Sequence, residues 1–442
     1  MRLSVDGHLE NGILQQAVRH LTRLIQGRWA TVMRLDALIF GGGAAGLWLL
    51  DRLSRDGHHV LLLEAHALGS GQTIASQGII HSGLKYTLAG LVARSSRNFR
   101  EMPQLWRDSL QGKCTPDLSQ TRLRSSCCYL WQLDATASRN NLLNVYSDPQ
   151  FKSEFVPHDQ RPTAFQGLFS SVVKIPEQVI APRSFVQDLA TQYHDRILSI
   201  NARHGLEFDL DSPGEVKRVR LVSPRDQSTL ELQPRQVIFT AGGGNARLRK
   251  MTGLSADVMQ RRQLHMVLMR GDLPELNGYC LDGVKTRIKI TSERDAQQRM
   301  VWQVGGQLSE EGAILSQTDL TERARNELSQ ALPCVDLRDV EWSTHSIERA
   351  EGATPRGTQP ENIQVLCAGN VTTGWPTKLA LAPALAQEIA QRASSPYLSS
   401  AFDTQPFADW PRPTVAALPW EDENRQWWKL QDGHANPILR AA

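Results

Sequence analysis

Asp36–Glu64, DALIFGGGAAGLWLLDRLSRDGHHVLLLE, contains the parts of a dinucleotide-binding βαβ unit in chain order. The apolar run Ala37–Phe40 reads as a buried parallel strand, and Gly41, Gly43 and Gly46 form a GxGxxG turn. Leu47, Leu50 and Leu53 then recur at helical spacing, Gly57 stops the helix, and Val60–Leu63 make a second strand ending in Glu64. Gly41 permits the tight turn, Gly43 lets the backbone approach a pyrophosphate, and Gly46 lets helix and strand pack closely. Ala44 and Ala45 open the helix, whose unpaired amides and positive partial charge face the phosphates. Glu64 lies 18 residues beyond Gly46, near the usual spacing of about 20, so it and the adjoining Ala65 are placed at a ribose diol. An acid here argues against a 2′-phosphate.

The 442 residues suffice for two domains. With 40% apolar and 21% charged residues the composition is that of an ordinary globular protein, and a net charge of +3 gives no general affinity for polyanions. The six cysteines show no CxxC pair and no metal-ligand spacing, so a reducing cytoplasm and no metal site are expected. No apolar run is long enough to span a bilayer. Leu9–Gln26 has the apolar spacing of an amphipathic helix within an extension, residues 1–33; a docking helix and a true start at Met33 are both open readings.

Beyond the βαβ unit, GSGQTIASQGIIHSGLKY resembles the loop after the dinucleotide strand in the D-amino-acid oxidase superfamily, above all in its L-2-hydroxyglutarate and glycerol-3-phosphate dehydrogenase branches. Three further segments are similar to the same family: EQVIAPRSFVQDLA (177–190), PRQVIFTAGGGNARL (234–248) and NIQVLCAGNVTTGWPTKLALAPALAQEIAQR (362–392). The resemblance implies an α/β fold, with FAD on a Rossmann-like domain assembled from residues 34–98, 165–258 and 344–400. An interleaved α+β substrate domain with a mixed or antiparallel sheet would use 99–164 and 259–343, and 401–442 would be a Pro- and Trp-rich tail. It places Thr73, Ser76, Gln77, Gly78, Ile79 and Val179 beside the cofactor, with Ala241, Gly242 and Gly243 on its adenosine side. In the C-terminal loop it places Gly369, Gly374, Trp375, Pro376, Thr377, Lys378 and Leu379 at the flavin. The chain lacks a second GxGxxG unit and a redox CxxxxC pair, which argues against pyridine-nucleotide disulfide reductases.

Oxidation of an alcohol by flavin needs a base, and His81, directly after the flavin-lining loop, is the first candidate; a purely structural histidine and a covalent flavin link are the other readings. Tyr86, Arg262 and Lys378 are further catalytic candidates. Lys85, His265, Lys285, Arg287 and Trp302 are candidates for binding substrate. Alternation in GVKTRIKITS puts Lys285, Arg287 and Lys289 on one strand face, a basic stripe suited to an anion or, equally, to solvent. His345 and Arg349 are weaker candidates. The tail, with Trp410, Trp420, Trp427 and Trp428, reads as a packed strap or partner surface rather than a catalytic element.

The expected function is oxidation of a small polar, anionic substrate, a 2-hydroxy acid first and an amine or amino acid second, with oxygen or quinone as electron acceptor. TIASQGIIH stands where the glycerol-3-phosphate branch has an RSS or RST run, which puts phosphate-ester specificity in doubt. Two alternatives remain: modification of an RNA nucleobase, disfavoured by the near-neutral charge, and a non-catalytic flavin subunit docking a protein partner through the N-terminal helix or the tail. The expected location is cytoplasmic, with peripheral membrane association as a variant.

Overall fold

A computed structural model describes residues 32–82, 96–132, 153–283, 285–397 and 400–430. The N-terminal amphipathic helix, Lys85 and Tyr86 lie outside the described residues.

The apolar run ending at Phe40 belongs to β1 (Val32–Phe40), buried from Leu35 onward as a central parallel strand must be. It lies between β2 (Val60–Glu64) and β11 (Thr229–Phe239), both parallel to it. β8 (Ile197–Ser199) extends the sheet beyond β2, and β18 (Val371–Trp375) extends it beyond β11. β17 (Gln364–Ala368) pairs antiparallel with β18, and β10 (Glu215–Val222) with β11 and β9 (Leu206–Ser212). Phe40 is in register with Leu63 and Phe239, and Phe239 with Thr373. The turn at Gly41, the carboxylate of Glu64, and the loops after β11 and β18 therefore leave the sheet at one edge, the carboxyl ends of its parallel strands, where ligands of such sheets bind.

Helix α1 (Ala44–Arg55) buries Leu47, Trp48, Leu49, Leu50 and Leu53 against the sheet and its neighbouring helices. Each fully buried leucine contributes about 1.5–3 kcal/mol. Trp48 meets Trp106 of α2 (Ser96–Leu110) at 4.6 Å, and Trp106 meets Phe185 of α3 (Pro182–Gln192) at 5.2 Å between ring centroids. Short α4 (Asn245–Met251) follows the glycines after β11.

The second sheet runs, in spatial order, β19 (Trp428–Lys429), β16 (Glu341–Gly352), β12 (Met259–Gly271), β15 (Met300–Gly305), β14 (Lys285–Arg294), β13 (Gly278–Asp282), β4 (Cys128–Gln132), β6 (Val173–Ile175) and β5 (Glu154–Phe155). Residues 344–352 thus run in this sheet and not in the dinucleotide sheet. One face packs on α6 (Gln317–Ala331) through Trp131, Trp302 and Trp342. Helix α5 (Gln307–Glu311) follows β15. β3 (Leu123–Ser125) and β7 (Val179–Ile180) form a two-stranded ribbon between the two sheets' chain segments. Helix α7 (Ala382–Arg392) starts with a proline in its first turn, as its sequence suggests. Among the described residues no helix is long and apolar enough to cross a membrane.

Candidate active site

A cleft of about 1830 Å³ lies between the carboxyl edge of the first sheet and the free face of the second. Single-ligand pockets usually span about 300–1,000 Å³, so this one has room for a dinucleotide and a substrate together. Gly41 has φ 107°, and a side chain there would meet Ala241 Cα at 2.5 Å. A Cβ on Gly46 would lie 1.9 Å from the Gly41 carbonyl, so the helix reaches the strand only because residue 46 has none. Gly43 caps α1 without a side-chain bond, the first turn carries no acid, and only the Ala44 amide finds a side chain, Thr73 Oγ1 at 3.0 Å. An uncapped, positively polarised helix end facing a cleft fits a pyrophosphate. Glu64 is oriented by the amides of Gly42 (2.6 Å) and His66 (2.8 Å). Three buried atoms of cleft-lining residues, Ser76 Oγ, His345 Nε2 and Trp375 Nε1, have no hydrogen-bond partner within the chain, which also fits a polar cofactor and substrate.

Most nucleotide candidates converge here. Gly41, Gly43, Ala44 and Ala45 line the cleft, as do Glu64 and Ala65, Thr73, Ser76–Ile79, Ala241–Gly243 and Gly374–Leu379, including Lys378; Gly46 supports them from behind. Lys285 also lines the cleft.

Six candidates are not there. Gly369 makes the hairpin turn between β17 and β18, packed on Gly214, because 371–375 is a strand where a loop was expected. Val179 is fully buried in a bridge to Ile79, whereas Ile200–Arg203 line the cleft next to Glu64, whose carbonyl accepts from the Ile200 amide (2.9 Å). On β12, Leu264 and Met266 face the cleft, which turns His265 to the opposite face, where its Nδ1 lies 3.3 Å from the Gly312 carbonyl. Arg262 is held bidentately by the buried Glu351. Trp302 is in the core, donating to the Pro274 carbonyl. Arg287 fails for a specific reason: a bulge pairs Thr286 with Leu281 and Ile288 with Cys280, so the alternation slips and Arg287 turns to Glu311 and Glu327.

The loop Thr73–His81 is pinned on three sides. Gln77 donates to the carbonyls of Gln303 (2.8 Å) and Lys289 (3.2 Å), and Gln303 donates to that of Ala75 (2.7 Å). Arg124, almost wholly buried, grips the Gln77 and Ile180 carbonyls while paired with Glu293. On either side of His81, Ile80 bonds the Gln178 carbonyl and Ser82 gives both its amide (2.7 Å) and hydroxyl (2.6 Å) to Glu177 Oε1.

His81 Nδ1 lies 3.0 Å from the Tyr279 hydroxyl, which is 2.5 Å from Glu177 Oε2. Burial, with Lys289 and more weakly Lys378, outweighs the pull of Glu177 and lowers the imidazole to about 4, so it is neutral at pH 7. Burial opposes ionisation of Glu177, yet the neighbouring His81 ring, 3.6 Å away, and the donors Ser82 and Tyr279 hold it well below the usual carboxylate range. Pairing across the second sheet places one cleft-facing row along His345, Met266, Gly305, Lys289, Tyr279 and Leu130. At about 4.8 Å per strand, His345 stands roughly 20 Å of sheet from Tyr279. His345 is likewise lowered to about 4, by burial and then by Arg425. Arg425 belongs to the tail, whose residues Ala416–Pro419, Asp422 and Arg425 form a wall of the cleft, so the tail is a strap that also builds the site.

Sequence reading missed Glu177, Tyr279, the 200–203 segment and the tail wall. Glu177 stood within a segment of recognised resemblance, but nothing local marked it. Tyr279 reaches His81 across 198 positions of sequence, through strand pairing alone. Among the described residues no group of three or more His, Cys, Asp or Glu side chains could hold a metal.

This dinucleotide cradle facing a second sheet across a large cleft has the architecture of a flavin-dependent oxidoreductase. Residues 36–392 match the family model of the FAD dependent oxidoreductases (DAO), and the chain belongs to that family. Its cofactor is FAD. The chain is 33% identical over 396 residues, 87% of this chain and 97% of the other, to the probable FAD-dependent oxidoreductase PA4991 of Pseudomonas aeruginosa. The crystal structure of that protein superposes with a TM-score of 0.74 at 31% identity, covering 89% of this chain and 99% of the other. The fold is also similar to glycine oxidase from Geobacillus kaustophilus (TM-score 0.55, 16% identity, 87% of this chain and 100% of the other). It is similar too to L-α-glycerophosphate oxidase from Mycoplasma pneumoniae (TM-score 0.58, 13% identity, 83% and 97%).

Proposed function

We propose that this FAD-dependent oxidoreductase oxidises a small anionic alcohol, a 2-hydroxy acid before all others, with His81 as the base. The observation that carries the reading is the placement of His81 on the wall of the cleft that Lys289 and Lys378 also line, with burial and these cations favouring the neutral ring. Bound FAD supplies the two-electron oxidant. Lys289, with Lys285 further along the same strand, attracts and orients a carboxylate, and His81 accepts the hydroxyl proton as the carbonyl forms. The pinned loop holds His81 still, and the strap closes one side against water. An α-amino acid is the second reading, since its carboxylate suits the same lysines and glycine oxidase shares the fold. Its ammonium group would then face like charge, which favours the alcohol.

Anaerobic titration of the holoprotein with 2-hydroxy acids, α-amino acids and polyol phosphates tests this. Bleaching of the oxidised flavin band near about 450 nm by a hydroxy acid supports the first reading. Reduction by amino acids alone replaces it with the second, and reduction only by phosphates refutes both.

A further inference from the structure

The cluster behind His81 decides more than its charge, because each atom in it has a restricted choice of role. Glu177 Oε1 accepts twice from Ser82, and its Oε2 lies against the Tyr279 hydroxyl. An ionised carboxylate accepts only, so the phenol proton points to Glu177. The Tyr279 oxygen then has no proton left for His81, and the bond at Nδ1 forms only if the imidazole donates.

We infer that Glu177 and Tyr279 are positioning residues that fix neutral His81 as its Nδ1–H tautomer, leaving the Nε2 lone pair as the proton acceptor for the cleft. This deepens the reading of His81 as the base and rests on it. Were Glu177 protonated at Oε2, every arrow in the chain would reverse: Glu177 would donate to Tyr279, Tyr279 to Nδ1, and Nε2 would carry the hydrogen. The base is therefore switched by a carboxylate two hydrogen bonds away, not only by its own titration.

The same chain steadies the ring while it carries the abstracted proton. Nε2 takes the hydroxyl proton of the alcohol, Nδ1 keeps its hydrogen on the Tyr279 oxygen, and ionised Glu177, a weaker base than the imidazole, offsets the charge of the imidazolium. The proton then leaves from the exposed edge of the ring to water, while the two electrons go to the oxidant already named. The other groups facing the cluster keep the resting ring neutral. Lys289 from β14 and Lys378 from the loop after β18 disfavour a lasting imidazolium, and Cys128 from β4 is held as a thiol by burial, so it offers no competing anion. Among the described residues no group bonds Nε2, and about a quarter of the His81 side chain remains exposed.

The test is nitrogen NMR of holoenzyme labelled with ¹⁵N-histidine, with the His81 signals assigned by their loss in His81→Asn. At pH 7 the expected spectrum has Nδ1 in the protonated range and Nε2 in the unprotonated range. Glu177→Gln should shift population to the Nε2–H form and slow flavin reduction by a hydroxy acid about tenfold or more. Tyr279→Phe leaves Nδ1 facing the carboxylate at 3.6 Å, so it should keep the tautomer but raise the imidazole pKa. A structural role alone would move none of these signals selectively. Wild-type His81 found as Nε2–H, or an unchanged tautomer in folded Glu177→Gln, overturns the inference. If Glu177→Gln does not fold, the wild-type tautomer and the Tyr279→Phe titration still decide it. A confirmed Nδ1–H tautomer in an enzyme that no hydroxy acid reduces would leave the cluster standing and refute the substrate reading.

Discussion

Replacing Lys289 with methionine should release His81 toward its ordinary titration. The ammonium lies 5.8 Å from the centroid of the Tyr279 ring, and the His81 ring centroid lies 6.0 Å from the same point, so the two groups are at most about 12 Å apart. At an effective dielectric of about 20, a unit charge at about 12 Å contributes about 1.4 kcal/mol, or about one pKa unit, and more if closer. Burial, the larger cause, stays. The imidazole should therefore titrate at about 5 or above in Lys289→Met, against about 4 in the unaltered protein. The sign follows from charge: removing a cation favours the protonated ring. A pH titration of the His81 nitrogen signals measures this directly, without a substrate. At pH 5 the unaltered protein should show mostly neutral His81 and the variant at least half-protonated His81. Identical curves, or a shift downward, would refute the assignment of Lys289 as the cation that keeps this base neutral.

Three further outcomes follow from the same geometry. Gly46→Ala should abolish FAD retention, since its Cβ would fall 1.9 Å from a backbone carbonyl; the flavin content of purified protein measures this. Arg124→Met should cost about 1–3 kcal/mol, because two carbonyls lose their donor and Glu293 keeps only the more exposed Arg122 as its partner. Thermal unfolding should show that loss together with release of FAD. His81 and His345 both titrate near 4 when folded, below the ordinary 6.5, so the unfolded chain binds more protons between those values. Stability should therefore be full above about pH 6.5 and decline toward pH 4, by up to about 1.4 kcal/mol per pH unit per histidine. His345→Gln should flatten the slope of Tm against pH, and an unchanged slope would remove His345 from this account.

By itself, the sequence determined the nucleotide half of the protein. A phosphate-binding turn is built from contiguous residues whose glycines are required by local backbone geometry, so Gly41, Gly43, Gly46 and Glu64 could be read in place. The segments 73–79, 241–243 and 374–379 followed from a resemblance carried by equally local strings. Tertiary structure decided the other half. A one-residue bulge in β14 reversed Arg287, the packing of β12 and β15 on the core turned His265 and Trp302 away, and a hairpin displaced Gly369, each through strand register that no periodicity encodes. Glu177 and Tyr279 meet His81 only because β13 pairs with β14 and the 177–182 segment crosses the cleft-lining loop 73–81. Local backbone requirements are written in neighbouring residues; the direction of a proton in a buried chain depends on which distant side chains the sheets bring together.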